Sequence, residues 1–317
     1  MSQILASQSD TLDWKPFSTP NGFEGEKFPS YSCDFVEMIL SNGCKYLNLC
    51  GTTLNGTLKL KKPSQLRYLD LSGGRISVEN KEEILSSCHS LEKLSLSYSE
   101  LNCNYINSIC HQNGPSLKVL DLQGSKGLSP EFIHDIVEFC TELREFNFDV
   151  TYRNTESFDF VVNNITAKIE KVKIGYSFLE NQHIKTLVTR CNKISALSLG
   201  SEKFTNDMLT SIIENLNGTL EELFIDRFRF TSEFLFQDNC FKLIKLKKLK
   251  HLYHDYRWLP AHVEAYKLHM PNLNFYDCNC IKIARNRPIE YGIWEIKEKQ
   301  FLKRTWPTDC RSCGKYR

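Results

Sequence analysis

The chain has 317 residues, 41% of them hydrophobic and 25% charged, with a formal net charge of +2. That supports a large buried core and excludes a chain drawn to nucleic acid or membranes by its overall field. No apolar run reaches the roughly 20 residues that span a bilayer, and residues 1–14 lack the basic and apolar stretches of a secretory leader.

In chain order, residues 1–40 read as an N-terminal arm and cap. Met1 to Ser30 is polar and carries Pro16, Pro20 and Pro29, which predicts a poorly ordered arm. Cys33 to Ser41 predicts a short helix bearing Phe35, Met38, Ile39 and Leu40. Residues 41–275 carry an internal repeat. The apolar pattern begins weakly at Cys44-Leu47-Leu49 and becomes regular at Leu66-Leu69-Leu71, Leu91-Leu94-Leu96, Leu117-Leu120-Leu122 and Leu143-Phe146-Phe148. It continues at Ile169-Val172-Ile174, Ile194-Leu197-Leu199 and Leu220-Leu223-Ile225, then weakens at Leu249-Leu252 and Leu273-Phe275. First positions of the regular copies are 25 or 26 residues apart.

The last two apolar residues of each copy are two apart, as on one face of a strand. Between the strands lie runs of helical period, such as Phe132, Ile133, Ile136, Val137 and Cys140, or Ile184, Leu187, Val188 and Cys191. Ser129-Pro130-Glu131 is a helix start, with Ser to cap and Pro to suit the first turn. Each repeat is therefore expected to be a strand plus a helix, and neither buries its apolar face alone. The expected fold is an α/β leucine-rich-repeat solenoid of about 9–10 repeats, with parallel strands concave and helices convex. The helix at Cys33–Ser41 would close its open end. Residues 276–317 form a tail without repeat spacing.

Thirteen cysteines, odd in number and scattered, suit reduced thiols of a cytoplasmic or nuclear protein. Cys88, Cys140 and Cys191 each stand three residues before an apolar triplet, where a small apolar side chain fits a tight turn. The tail offers Cys278-x-Cys280 and Cys310-x-x-Cys313, read as free thiols rather than a zinc site. No cofactor is expected. The chain has no nucleotide-binding loop, nucleophile elbow or zinc-protease motif, so it reads as a binding module and not an enzyme.

Residues flanking the inward pair of each strand face the concave side. The candidate contacts are Tyr68, Asp70, Lys93, Asp121, Glu145, Asp149, Lys171, Lys173, Glu222, Phe224 and Asp226. Asp121, Glu145 and Asp149 suggest an acidic centre, with Lys171 and Lys173 a basic stripe beside it, suited to a charged peptide. The alternative is a solvated face whose charges pair across strands. The basic stretch from Lys242 to Arg257 is interleaved with Leu243, Leu246, Leu249 and Leu252, which reads as core between exposed lysines.

The 26-residue cysteine-containing repeat resembles that of the F-box/LRR proteins, the substrate receptors of SCF ubiquitin ligases. Pro271-Asn272-Leu273, Ile283-Ala284-Arg285 and Gly292-Ile293-Trp294-Glu295-Ile296-Lys297 are similar to the tail of the S-phase-kinase-associated branch of that family. Ile84 to Leu96, Leu120 to Ser125 and Leu187 to Cys191 are similar to repeats of that branch. The resemblance implies a receptor whose concave face grips a protein substrate, phosphorylated in that branch. It also implies the SCF adaptor and a small cyclin-kinase regulatory subunit as partners where an F-box is present. Trp294 itself reads as an anchor packing the tail against the repeats rather than as a partner contact. Residues 1–40 show no recognisable F-box; Ser9 to Trp14 resembles only its end. The expected function is substrate recognition for SCF-type ubiquitination. The alternative is an LRR interaction protein or decoy outside a ligase. Nucleic acid and membrane are not expected partners.

Overall fold

A computed structural model describes residues 6–7, 29–102, 105, 107–149, 155–177, 179–201, 204–226, 241–254 and 260–277. The apolar triplets become short strands, and the spacing between them brings each strand beside the next. These are β3 (Tyr46–Asn48), β5 (Tyr68–Asp70), β6 (Lys93–Ser95), β7 (Val119–Leu122) and β8 (Glu145–Asp149). There follow β9 (Lys171–Ser177), β10 (Ala196–Ser201), β11 (Glu222–Asp226), β12 (His251–His254) and β13 (Asn274–Asp277). All pair in parallel with their sequence neighbours in one 11-stranded sheet. The eleventh strand, β1 (Ala6–Ser7), pairs antiparallel with β3 through Ala6↔Leu47 and Ser7↔Tyr46. It covers an edge that would otherwise present unpaired backbone groups. Two residues of pairing leave no periodic signal, so the sequence shows only a polar arm there.

The triplet residues point away from the concave face and are almost wholly buried: Leu69, Leu71, Leu94, Leu96, Leu120, Leu122, Phe146 and Phe148 all belong to one continuous core. Helices seal it on the convex side. These are α1 (Cys33–Ser41), α2 (Val78–Ser86), α3 (Pro130–Phe139), α4 (Thr155–Asn164), α5 (Asn181–Arg190), α6 (Asn206–Leu216) and α7 (Pro260–His269). Ser129 Oγ accepts from the Phe132 N–H at 3.2 Å, and Pro130 takes the first helical position of α3. Cys88, Cys140 and Cys191 are buried where helix gives way to strand. The Cys88 thiol donates to Ile84 O at 3.1 Å, sharing that carbonyl at the helix end with the Ser87 hydroxyl at 2.7 Å. α1 caps the solenoid through buried Val36 and Leu40, while Phe35 and Met38 stay exposed.

Not every repeat has an α-helix. The segment after β6 holds a π-helical turn, Asn107–Gln112, and a 3₁₀ turn, Gly114–Ser116. Another 3₁₀ turn, Phe241–Lys245, precedes β12. Between β3 and β5 the chain makes only the short strand β4 (Thr53–Asn55), which pairs with β2 (Ser30–Ser32). There the backbone is satisfied by side chains of the flanking helices instead. Leu58 N–H donates to Asn80 Oδ1 at 2.9 Å, Lys59 N–H to Glu37 Oε1 at 2.6 Å and Leu60 N–H to Glu83 Oε1 at 2.6 Å. A comparable clamp ties the later repeats, where buried Asn113 accepts from Leu91 N–H at 3.0 Å and donates to Cys88 O at 2.9 Å.

Candidate functional site

Parallel register, which shifts between β9 and β10 only after Leu199, turns the concave side into rows that run across the strands. One row is Tyr46, Tyr68, Lys93, Val119, Glu145, Lys171, Ala196, Glu222, His251 and Asn274. The next is Asn48, Asp70, Ser95, Asp121, Asn147, Lys173, Ser198, Phe224, Tyr253 and Tyr276. Neighbouring strands lie about 4.8 Å apart, so residues adjacent in a row touch. Tyr46 and Tyr68 stack with centroids 4.5 Å apart, and Phe224 meets Tyr253 at 6.0 Å. Aromatic pairs thus flank a charged middle.

The charges of that middle engage one another. Lys171 Nζ is 3.2 Å from Glu145 Oε1, an ion pair between adjacent strands with both side chains partly buried. Lys173 Nζ donates to Gln123 Oε1 at 2.7 Å across two strand intervals. Asp121 Oδ1 accepts from Gln123 N–H at 3.0 Å and Asp70 Oδ1 from Ser72 N–H at 2.8 Å. Asn48 Oδ1 makes the same bond to Cys50 N–H at 2.8 Å, so these three residues end their strands alike. Burial pushes the Asp70 carboxyl up to about 6, against its hydrogen bonds to Ser72 and despite Lys93 nearby. Burial also raises the Asp121 and Glu222 carboxyls, with Lys173 and Lys171 respectively opposing the shift.

The model of the SKP2 LRR domain matches residues 34–301. The chain belongs to that family. Among solved structures, TLR13 in its complex with ssRNA13 is similar at 15% identity and a TM-score of 0.42, over 78% of this chain and 42% of that one. The chain therefore spans less than half of that neighbour's length.

As a member of the SKP2 LRR family the chain carries its candidate contacts at different depths. Lys93, Asp121, Glu145, Lys171, Lys173 and Glu222 are half-buried on the concave floor, as is Tyr68. Asp70 is only 4% exposed and Phe224 9%, so both are floor rather than rim. Asp149 and Asp226 lie on β8 and β11, in register with Gly175 and Gly200. Trp294 and both tail cysteine pairs lie outside the described residues. Among the described residues, no group of three or more His, Cys, Asp and Glu is placed to hold a metal, and no helix is long and apolar enough to cross a membrane. In the basic stretch, Leu243, Leu246, Leu249 and Leu252 are buried while Lys245, Lys247, Lys248 and Lys250 are exposed. Sequence reasoning missed Tyr46 and Tyr253, which the row positions of Tyr68 and Phe224 predict once register is known. It also missed Tyr98, which is half exposed at the end of β6.

Proposed function

We propose that this SKP2-family LRR chain is the substrate-recognition module of an SCF-type ubiquitin ligase, holding a protein substrate on its concave face and performing no chemistry of its own. The observation that carries the reading is the family match across residues 34–301, coinciding with an unbroken concave sheet whose polar rows stay in register from β3 to β13. Binding modules of this kind act by presenting a rigid, curved surface to an extended partner. The half-buried charges from Asp121 to Glu222 give that surface a fixed electrostatic pattern, which favours selection among partners over raw affinity.

The test uses the tagged full chain, purified from cells with the proteasome blocked. The SCF adaptor and ubiquitin-bearing polypeptides should co-purify. The variant Asp121→Lys/Glu145→Lys/Asp149→Lys should lose the polypeptides and keep the adaptor. Capture of polypeptides without adaptor would place the chain outside a ligase, as an LRR interaction protein or decoy. Undiminished capture by the charge-reversed variant would remove the concave face from the mechanism.

A further inference from the structure

The strand ends of consecutive repeats share one turn. Thr52, Ser99 and Ser125 N–H groups donate to Leu49, Leu96 and Leu122 C=O at 3.2, 3.1 and 3.1 Å. The third residue of each turn has positive φ: Gly51 at 62°, Tyr98 at 55° and Gly124 at 63°, with Gly73 at 58° in the equivalent place. Positive φ at that position asks for glycine. Tyr98 is the one non-glycine residue with positive φ among the described residues. A bulky side chain there is strained, and such strain persists only where the surroundings enforce it, often where the side chain is used.

The surroundings enforce it strongly. The Tyr98 ring lies so close over Gly124 that a Cβ on Gly124 would sit 2.6 Å from its Cδ1 and Cε1. Gln123 Nε2 donates to Tyr98 Oη at 2.9 Å, and Gln123 Oε1 accepts from Lys173 Nζ at 2.7 Å. A chain of bonds thus ties the ring to a strand three repeats further along the concave face. Yet Tyr98 remains 51% exposed. The Ser72, Ser95 and Ser97 hydroxyls bond to one another at 2.6 and 3.2 Å, and Ser72 and Ser97 also hold the Asp70 and Asp121 carboxyls beside them, so the charges of that floor are engaged from within and the ring is the surface left open. A fixed, half-exposed tyrosine ring is of the kind enriched among the residues that anchor protein partners.

We propose that Tyr98 is a partner-binding anchor at the rim of the concave face. It takes an extended, locally uncharged peptide segment of a protein partner, with a proline or aliphatic side chain laid on the ring. This rests on the concave face being the binding surface. Glycine would meet the backbone of this turn without strain, so the cost at Tyr98 accompanies the ring.

The test pans random linear peptides displayed on phage against the full chain. Retained peptides should be rich in Pro, Leu, Ile or Val. They should bind Tyr98→Gly at least about ten-fold more weakly and Tyr98→Phe about as well as the wild type. Tyr98→Gly itself should melt within about 2–4 °C of the wild type, relief of the backbone offsetting the lost ring contacts. A lower melting point for Tyr98→Gly with undiminished peptide binding would make the ring a packing element and overturn the proposal. Retention of only charged peptides, or of none, would overturn it too. Peptides indifferent to Tyr98→Gly but lost by Asp121→Lys/Glu145→Lys/Asp149→Lys would overturn the anchor and leave the concave-face reading standing. Peptides indifferent to both variants would overturn both.

Discussion

Replacing Asp70 with Asn tests how the concave floor is built. Asp70 is 4% exposed, and its carboxyl is raised from 3.8 to about 6 by burial. A group whose folded pKa is raised contributes stability below its unfolded pKa and loses it as pH rises through the folded value. At pH 7 the ionised carboxylate is therefore a net cost, on the order of 3 kcal/mol from a shift of about two units. Asn keeps the essential bond, because Asn48 already accepts from Cys50 N–H at 2.8 Å just as Asp70 accepts from Ser72 N–H. The new amide nitrogen needs a partner, and Asn48 Nδ2 is buried without one, which sets back about 1–2 kcal/mol. Asp70→Asn should thus gain about 1–2 kcal/mol at pH 7, by urea unfolding. The gain should shrink as pH falls from 6 and turn into a loss of about 1–2 kcal/mol below 4, where the wild-type carboxyl is protonated in both states and only the cost of the unpartnered amide remains. A variant less stable than the wild type at pH 7, with an unchanged pH slope between 4 and 6, would show that Asp70 is held ionised at no cost and would refute the reasoning.

Gly127→Ala should lower stability by about 2–3 kcal/mol. Its φ is 82°, and a Cβ would meet the Leu101 carbonyl oxygen at 2.5 Å, a backbone atom that cannot swing aside; thermal melting reads the loss, and an unchanged melting point would count against that turn geometry. The Cys88 and Cys191 thiols, raised to about 11 by burial, should resist alkylation at pH 8 in the folded chain and react only after denaturation, as followed by mass spectrometry; prompt labelling of either would contradict their burial. A double-mutant cycle of Glu145→Gln and Lys171→Met should return a coupling of about 0.5–1 kcal/mol, since both side chains of the 3.2 Å pair are partly solvated; zero coupling would mean the floor charges do not support one another.

Much of the fold is legible because repetition amplifies weak signals. One L-x-x-L-x-L triplet says little, but seven at nearly constant spacing specify strands, sheet order and the inward face together. The Ser129-Pro130 helix start and the Cys33–Ser41 cap are local features and appear where their chemistry places them. What the sequence hides is tertiary. The missing helix between β3 and β5 depends on Glu37, Asn80 and Glu83 reaching across from other elements. Alternation assigns Asp70 to the concave side but not its depth, because neighbouring strands about 4.8 Å apart cover it from both flanks.

The same crowding explains how a floor of paired charges can coexist with recognition at its edge. Glu145 holds Lys171 and Gln123 holds Lys173, so a partner that took these groups would first have to part them. Each exchange of one pairing for another returns little net free energy. Affinity then has to come from surface that is apolar, fixed and still open. At the end of β6 that surface is Tyr98, and its signal in the sequence is a departure from pattern: the turns at Gly51, Gly73 and Gly124 all carry glycine where it stands. In a repeat protein the residues that obey the repeat report the fold. A residue that breaks it at a cost to the backbone is where a use outside the fold should be sought.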